Sequence, residues 1–199
     1  ANDHDIQQWN RALAQATQLE LHGMSIEKVF DRWQLQQRNL LNPNSLGAPT
    51  YNVELATKHD VSWQAGDIAE VQPGNSPERI AEFLKQHTLD AETPIPNQQD
   101  RLQQWLWDRD LTVQCKPSHN LDQFLAQLPP LPTREYSIAS IPEQHCLRLV
   151  IRQQTNQNGE VGLGSGWMTQ HVQLHDSVQL RIRTNRSFHL IDDNRSIIC

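Results

Sequence analysis

Basic clusters, long apolar runs and paired cysteines are all missing from this chain. Its 199 residues carry 17 Lys and Arg against 23 Asp and Glu, a formal charge of −6. With no stretch dense in Lys or Arg, it lacks the electrostatic footprint that a phosphate backbone demands, which argues against general nucleic-acid binding. No apolar run nears the roughly 20 residues needed to span a bilayer. Three cysteines, Cys115, Cys146 and Cys199, are odd in number and far apart, so by themselves they build neither a disulfide framework nor a four-thiolate zinc site. No C-x-x-C is present, and a reducing compartment is the simpler inference. The G-x-S-x-G elbow of a serine hydrolase is missing too, which leaves Ser137, Ser140 and Ser165 without the setting of a nucleophile. The first residues, Ala1-Asn2-Asp3-His4-Asp5, are acidic and polar, unlike a signal or transit peptide. The expectation is a cytoplasmic chain, with membrane tethering of a longer parent left open.

What is present suits one domain with a real core, or one domain plus a small appendage. Hydrophobic residues make up 37% and charged residues only 20%; the polarity comes largely from glutamine, so disorder is not the default reading. Ile6, Trp9, Leu13, Ala16 and Leu19 fall at near-helical spacing, a helix that Gly23 can close. Strands are expected over Val29–Leu41, around Tyr51, Val53 and Leu55, and over Ile68–Val71. Asn75-Ser76-Pro77-Glu78 sets cap residues and a first-turn proline just before Ile80, Phe83 and Leu84, a strong helix start. Short helices follow at Gln98–Arg109 and Ser118–Leu128, ended by Pro129-Pro130-Leu131-Pro132. Then come strands at Arg134–Ser140, His145–Gln153 and Ser177–Asn185, with a helix at Ser165–His171. The closing Ser196-Ile197-Ile198-Cys199 reads as the opening of a buried strand, which favours a module of a longer chain. His171 and His175 have i,i+4 spacing, but with no third ligand nearby a solvated helix end is the better reading than a metal site.

Two segments carry chemistry. Residues two apart on a strand share a face, so Arg134 and Tyr136 can address one ligand, with Ser137 turned to the other side. Gly162-Leu163-Gly164-Ser165-Gly166-Trp167 sets a glycine-rich turn at a helix start, where N–H groups and the positive dipole end favour an anion. Together they describe a cationic, aromatic and amide-lined site for a phosphorylated ring system. Taken singly, each is an ordinary surface Arg, core Tyr or flexible turn.

Arg134-Glu135-Tyr136-Ser137-Ile138-Ala139-Ser140, as R-x-Y-S-I-A-S, resembles the flavin-binding strand of the ferredoxin-NADP reductase superfamily. It is most similar to the FAD-binding domain of NADPH-dependent diflavin reductases, such as the sulfite reductase flavoprotein and the microsomal cytochrome reductases. Trp63-Gln64-Ala65-Gly66-Asp67 resembles that family's Y-x-P-G-D turn, with Ala65 for the proline, and Asn75-Ser76-Pro77 the start of its next helix. Gly162–Met168 resembles its G-V-x-[ST]-x-[WF]-L loop, and Asn185-Arg186-Ser187-Phe188-His189-Leu190 its barrel-closing N-x-x-F-x-L. The matches run in family order from about Val29 to Leu190.

The resemblance implies a mainly β fold with a helical insert: a six-stranded antiparallel Greek-key flavin-binding barrel. It implies an N-terminal helix or linker over 1–24, the barrel over 25–192 with its insert at about 97–128, and the start of an NADP-binding domain over 193–199. Arg134 would neutralise the FAD diphosphate, Tyr136 would stack on the ring, and Ser137 would act near flavin N5 as the catalytic hydroxyl. Backbone groups of Leu147 and Leu149 would meet the pyrimidine edge, and Gly162, Leu163, Gly164 and Ser165 would hold the diphosphate. Gln153 stands where the family usually has an adenine-stacking tyrosine, and the insert is shorter than usual. The implied activity is hydride transfer from NADPH to FAD, then electron transfer to an FMN module or an external acceptor. The implied partners are a C-terminal NADP-binding module and an N-terminal flavodoxin-like one, with no metal and no nucleic acid. A second reading is a non-catalytic flavin-barrel docking module.

Overall fold

The structure, a computed structural model, describes residues 29–95, 99–116, 118, 120–157, 159 and 161–189. The helix expected over 6–21 and the strand expected at 196–199 lie outside the described residues. The chain divides at Phe30/Asp31 into two compact units, and the sheet, the helical insert and the candidate site all belong to the second.

Six strands form one antiparallel sheet in the order β4-β3-β6-β1-β2-β5. They are β1 (Asp31–Leu40), β2 (Thr50–Ala56), β3 (Ile68–Gln72), β4 (Arg134–Ser137), β5 (Leu147–Arg152) and β6 (Ser177–Arg183). Alternation decides which face is buried. Trp33 and Leu35 of β1 point inward with Val53 and Leu55 of β2, Ala69 and Val71 of β3, Leu147, Leu149 and Ile151 of β5, and Val178 and Leu180 of β6. Register brings these residues opposite one another, with Trp33 against Val178, Leu35 against Leu55 and Val53 against Leu149. A bulge between Leu35 and Gln37 breaks the alternation of β1 and re-aims its second half. Arg38 then reaches across to donate to the carbonyl oxygen of Val172 at 2.7 Å.

The sheet is not a closed ladder. β4 has only four residues, and just beyond it the N–H of Ile138 turns back to the Asp67 carbonyl at 2.7 Å. The β4 and β5 edges therefore meet through one bridge, Ile138–Leu149, and through the Ala139 N–H on the Arg148 carbonyl at 2.8 Å.

Helix α1 (Pro77–His87) starts where the sequence predicts, with the Ser76 hydroxyl accepting from the Arg79 N–H. Its inner face, Ile80, Phe83 and Leu84, builds a second core with the insert residues Ile95, Leu102, Leu106, Phe124, Leu125 and Leu128. The insert holds two short helices, α2 (Leu102–Trp105), continued by a 3-10 turn at Leu106–Asp108, and α3 (Leu121–Leu125). Asn75 ties it down: the side-chain amide donates to the carbonyls of Leu106 at 2.8 Å and Arg109 at 2.7 Å. Gly74 lies so close under Trp107 that a Cβ would overlap the indole.

Helix α4 (Leu163–Gly166) runs on into a π-helical turn at Trp167–His171. The i,i+4 spacing of His171 and His175 is not helical in the structure, because the helix ends at His171 as expected. Val172 is extended, Asp176 accepts from the Gln173 N–H at 2.9 Å to make a turn, and His175 takes a left-handed conformation with φ of 72°. Among the described residues no group of three His, Cys, Asp or Glu is placed to hold a metal, and no helix is long and apolar enough to cross a membrane.

Candidate functional site

β4 joins two concavities. The first is a groove of about 950 Å³ whose walls include Arg134, Gly162, Leu163, Arg79 and His171. The second is a hollow of about 860 Å³ lined by Tyr136, Ser137, Gly66, Val150, Phe188 and His189.

In the groove, Arg134 and Gly164 are in contact although 30 positions apart. A Cβ at residue 164 would overlap Arg134 Cγ and lie 3.0 Å from Cδ and 3.1 Å from Nε, so only glycine lets the arginine stem lie across the helix start. The guanidinium Nη1 donates to the carbonyls of Pro132 at 3.1 Å and Thr133 at 3.3 Å, which leaves other N–H donors of the fork for a ligand. Helix α4 begins at Gly162 with no side-chain cap. The amides of Leu163, Gly164 and Ser165 are thus the ones its geometry leaves without an intrahelical acceptor. Gly162 itself is not such a donor, because its N–H is given to the Gln154 carbonyl at 2.7 Å. The Ser165 hydroxyl has a bracing task, accepting from the Gln154 N–H at 3.0 Å.

Next to it, Gln153 is buried, and its amide donates to Thr169 Oγ1 at 2.8 Å, which in turn donates to the Ser165 carbonyl at 2.6 Å. This residue is a buried strut from the end of β5 to the α4 region. Glu78 shares the groove; its own N–H and the Ser76 hydroxyl, helped by His171, hold its carboxyl below the ordinary value. The groove walls therefore carry charge of both signs.

In the hollow, Tyr136 is half-buried on β4 opposite Ala69. Burial pushes its phenol up to about 12, although the nearby Arg134 charge pulls the other way. Ser137 is exposed on the alternate face, opposite Ile68. Leu147 and Leu149 do not line the hollow. Their side chains are fully buried in the core, and the neighbouring Arg148 gives its carbonyl to Ala139 and its N–H to Ser140 Oγ. Backbone groups alternate in direction along a strand, so those of Leu147 and Leu149 are spent on β2, and Val150 is the β5 residue at the hollow.

Two features of the hollow are not foreseen from the sequence. Phe188, largely exposed, lies against Gly66, where φ is 89° and a Cβ would overlap the ring. Beneath it the buried Asp67 accepts from the N–H of Gln64 at 2.9 Å, the N–H of Asn185 at 2.9 Å and His189 Nε2 at 2.7 Å. Burial alone would raise the Asp67 carboxyl; the Asn185 and Gln64 amides, with His189, outweigh it and hold the group below its ordinary 3.8. Asp67 and His189 each belong to a motif of the family resemblance, but a pairing across 122 positions leaves no trace in local spacing.

No family model and no curated protein matches the chain. Among solved structures it is similar to a ferredoxin-NADP+ reductase from Plasmodium falciparum, at 14% identity over 86% of this chain and 43% of that one, with a TM-score of 0.49. The same enzyme with 2'P-AMP aligns at 15% identity over 83% of this chain and 42% of that one, with a TM-score of 0.47. This chain spans less than half the length of the solved structures it matches.

Proposed function

We propose that this chain is the FAD-binding part of an NADPH-dependent flavoprotein reductase, close in kind to the sulfite reductase flavoprotein and cytochrome reductases. The observation that carries the reading is the seating of Arg134 across Gly164, beside three uncapped amides, with Tyr136 two residues further along the same strand face. That arrangement fits an extended ligand with an anionic middle and a flat ring. Arg134 and the amides of Leu163, Gly164 and Ser165 neutralise and orient the diphosphate. Tyr136 offers an aromatic face that stays uncharged at neutral pH, and Ser137 sets a hydroxyl at the ring edge. The main-chain contact expected of Leu147 and Leu149 passes to Val150. When bound, FAD would supply the redox chemistry, taking hydride from NADPH on a C-terminal module and yielding electrons to an N-terminal FMN module or an external acceptor.

The test is titration of the chain with FAD, followed by flavin absorbance and fluorescence. One FAD per chain is expected, with affinity reduced at least roughly tenfold by Arg134→Ala and by Gly164→Leu. Equal binding by both variants overturns the reading. A non-catalytic docking module draws support from Gln153, whose inward turn removes the adenine platform; that reading predicts no FAD retained at about micromolar concentration.

A further inference from the structure

We propose that His189, oriented by Asp67, is a proton-exchanging group of the ring hollow, so that flavin is taken up there together with a proton. This rests on the flavin reading of the site.

Histidine is the side chain whose ordinary ionisation falls near neutrality, and the partner of one ring nitrogen fixes what the other can do. Asp67 is buried and ionised, and an ionised carboxylate can only accept. His189 Nε2, 2.7 Å from Asp67 Oδ1, must therefore carry the hydrogen. In the neutral ring Nδ1 is then the bare nitrogen, and it has no hydrogen-bond partner among the described residues. The same imidazole forms part of the wall shared with Tyr136 and Ser137, and at 19% side-chain exposure it keeps a path to solvent. An oriented base, its orienting carboxylate and a concavity to act in are thus assembled from three distant stretches: the turn at 64–67, strand β4 and the segment 185–189.

The other charged and titratable groups around this wall do not compete. Glu135 of β4 is paired with Arg183 of β6 at 2.9 Å. Tyr136 keeps its proton to about 12. Arg186, in His189's own turn, is a guanidinium and can only donate. His189 is left as the imidazole of this wall whose second ring nitrogen is uncommitted.

A heteroaromatic ring with acceptor atoms along its edge is best met by a donor. The imidazole provides one by binding a proton from solvent at Nδ1 while Nε2–H stays on Asp67. When the ligand enters, an N–H bond forms at Nδ1 as an O–H bond of hydronium or of the buffer acid breaks, leaving water or the buffer base; the exchange reverses when the ligand leaves. His189 would then hold, beside the ring, the proton that balances charge arriving on it. Asp67 acts as a positioning residue, through the tautomer it imposes.

Two measurements on the 199-residue chain test this. Nitrogen NMR of labelled histidine, without flavin at about pH 8.5, above ordinary histidine ionisation, is expected to show protonated Nε2 and bare Nδ1. The opposite tautomer overturns the proposal. FAD affinity is then compared at about pH 5.5 and about pH 8.5, a window around ordinary histidine ionisation. Wild type is expected to bind roughly tenfold tighter at the acid end, the scale of a hydrogen bond gaining a charge. His189→Gln, whose amide can still donate to Asp67 and so preserve the turn, is expected to bind equally at both. If His189→Gln keeps the wild-type pH dependence, or if His171→Gln abolishes it instead, the inference falls while the flavin reading stands. If wild type takes up no FAD at either pH, the flavin reading falls first and takes this inference with it.

Discussion

The groove around Arg134 and the hollow around Tyr136 lie at opposite ends of one four-residue strand, yet they are held by different forces. The groove depends on a missing atom. The first amides of α4 carry no side-chain cap because Gly162 brings none, and the groove's arginine is seated because Gly164 has no Cβ. The hollow depends on polar satisfaction around Asp67, whose three donors come from the 64–67 turn and the 185–189 segment. Shape can be spoiled by adding a carbon; a hydrogen-bonded carboxylate is spoiled by removing an oxygen. The two ends should therefore fail in different experiments.

The largest effect is expected from Asp67→Ala. It strands the N–H groups of Gln64 and Asn185 and should cost roughly 2–5 kcal/mol, read as a lower urea midpoint. pH sharpens this. The folded carboxyl titrates below its ordinary 3.8, so its contribution is fully present above that value and is lost as pH falls through the folded pKa. The stability gap between wild type and Asp67→Ala should be constant at neutral pH and narrow below about pH 4. A gap that widens on acidification would show that the carboxylate is not the stabilising form.

Gly164→Ala comes next and strikes the other end. The new Cβ meets Arg134 Cγ, close to the arginine's own backbone, so the stem must swing out rather than merely shift its tip. A cost of about 1–3 kcal/mol is expected, in the range of overpacking, with a loss of FAD affinity and little change in the acid profile that marks the hollow. An alanine variant with wild-type stability and FAD affinity would mean that the arginine is not seated on the glycine at all.

Much of this was legible in the residues. The cap and first-turn proline at Ser76-Pro77 located α1, alternation located the strands, and ordered motifs singled out Arg134 and Gly164, which the fold brings into contact. What escaped depends on pairing. Nothing in Leu147-Arg148-Leu149-Val150 says which carbonyls face β4 rather than β2; that is set by the bridge from Ile138. The open seam between β4 and β5 follows from Ile138 turning back to the Asp67 carbonyl, a long-range contact. The histidines at 171 and 175 looked helical by spacing, until the turn closed by Asp176 parted them. Gln153 read as a gap in the adenine site and proved to be a strut, because its partner Thr169 sits on a π-helical turn that periodicity does not foresee.

The smallest expected effect links the two ends. Arg134 and Tyr136 share a face of β4, and the arginine charge works against the burial that lifts the phenol to about 12. Removing the charge should therefore move the phenol further up, away from its ordinary 10.0, and never down. In a Tyr51→Phe background, which leaves one of the two tyrosines, the phenolate absorbance reports Tyr136 alone. Its midpoint should lie near 12 and rise with Arg134→Ala. Because the folded pKa exceeds the unfolded one, Tyr136 should also make the chain lose stability between about pH 10 and 12, where the native state holds the extra proton. A midpoint that falls on removal of Arg134 would mean the substitution had opened the hollow to water. The groove and the hollow would then be one mechanical unit, not two sites sharing a strand.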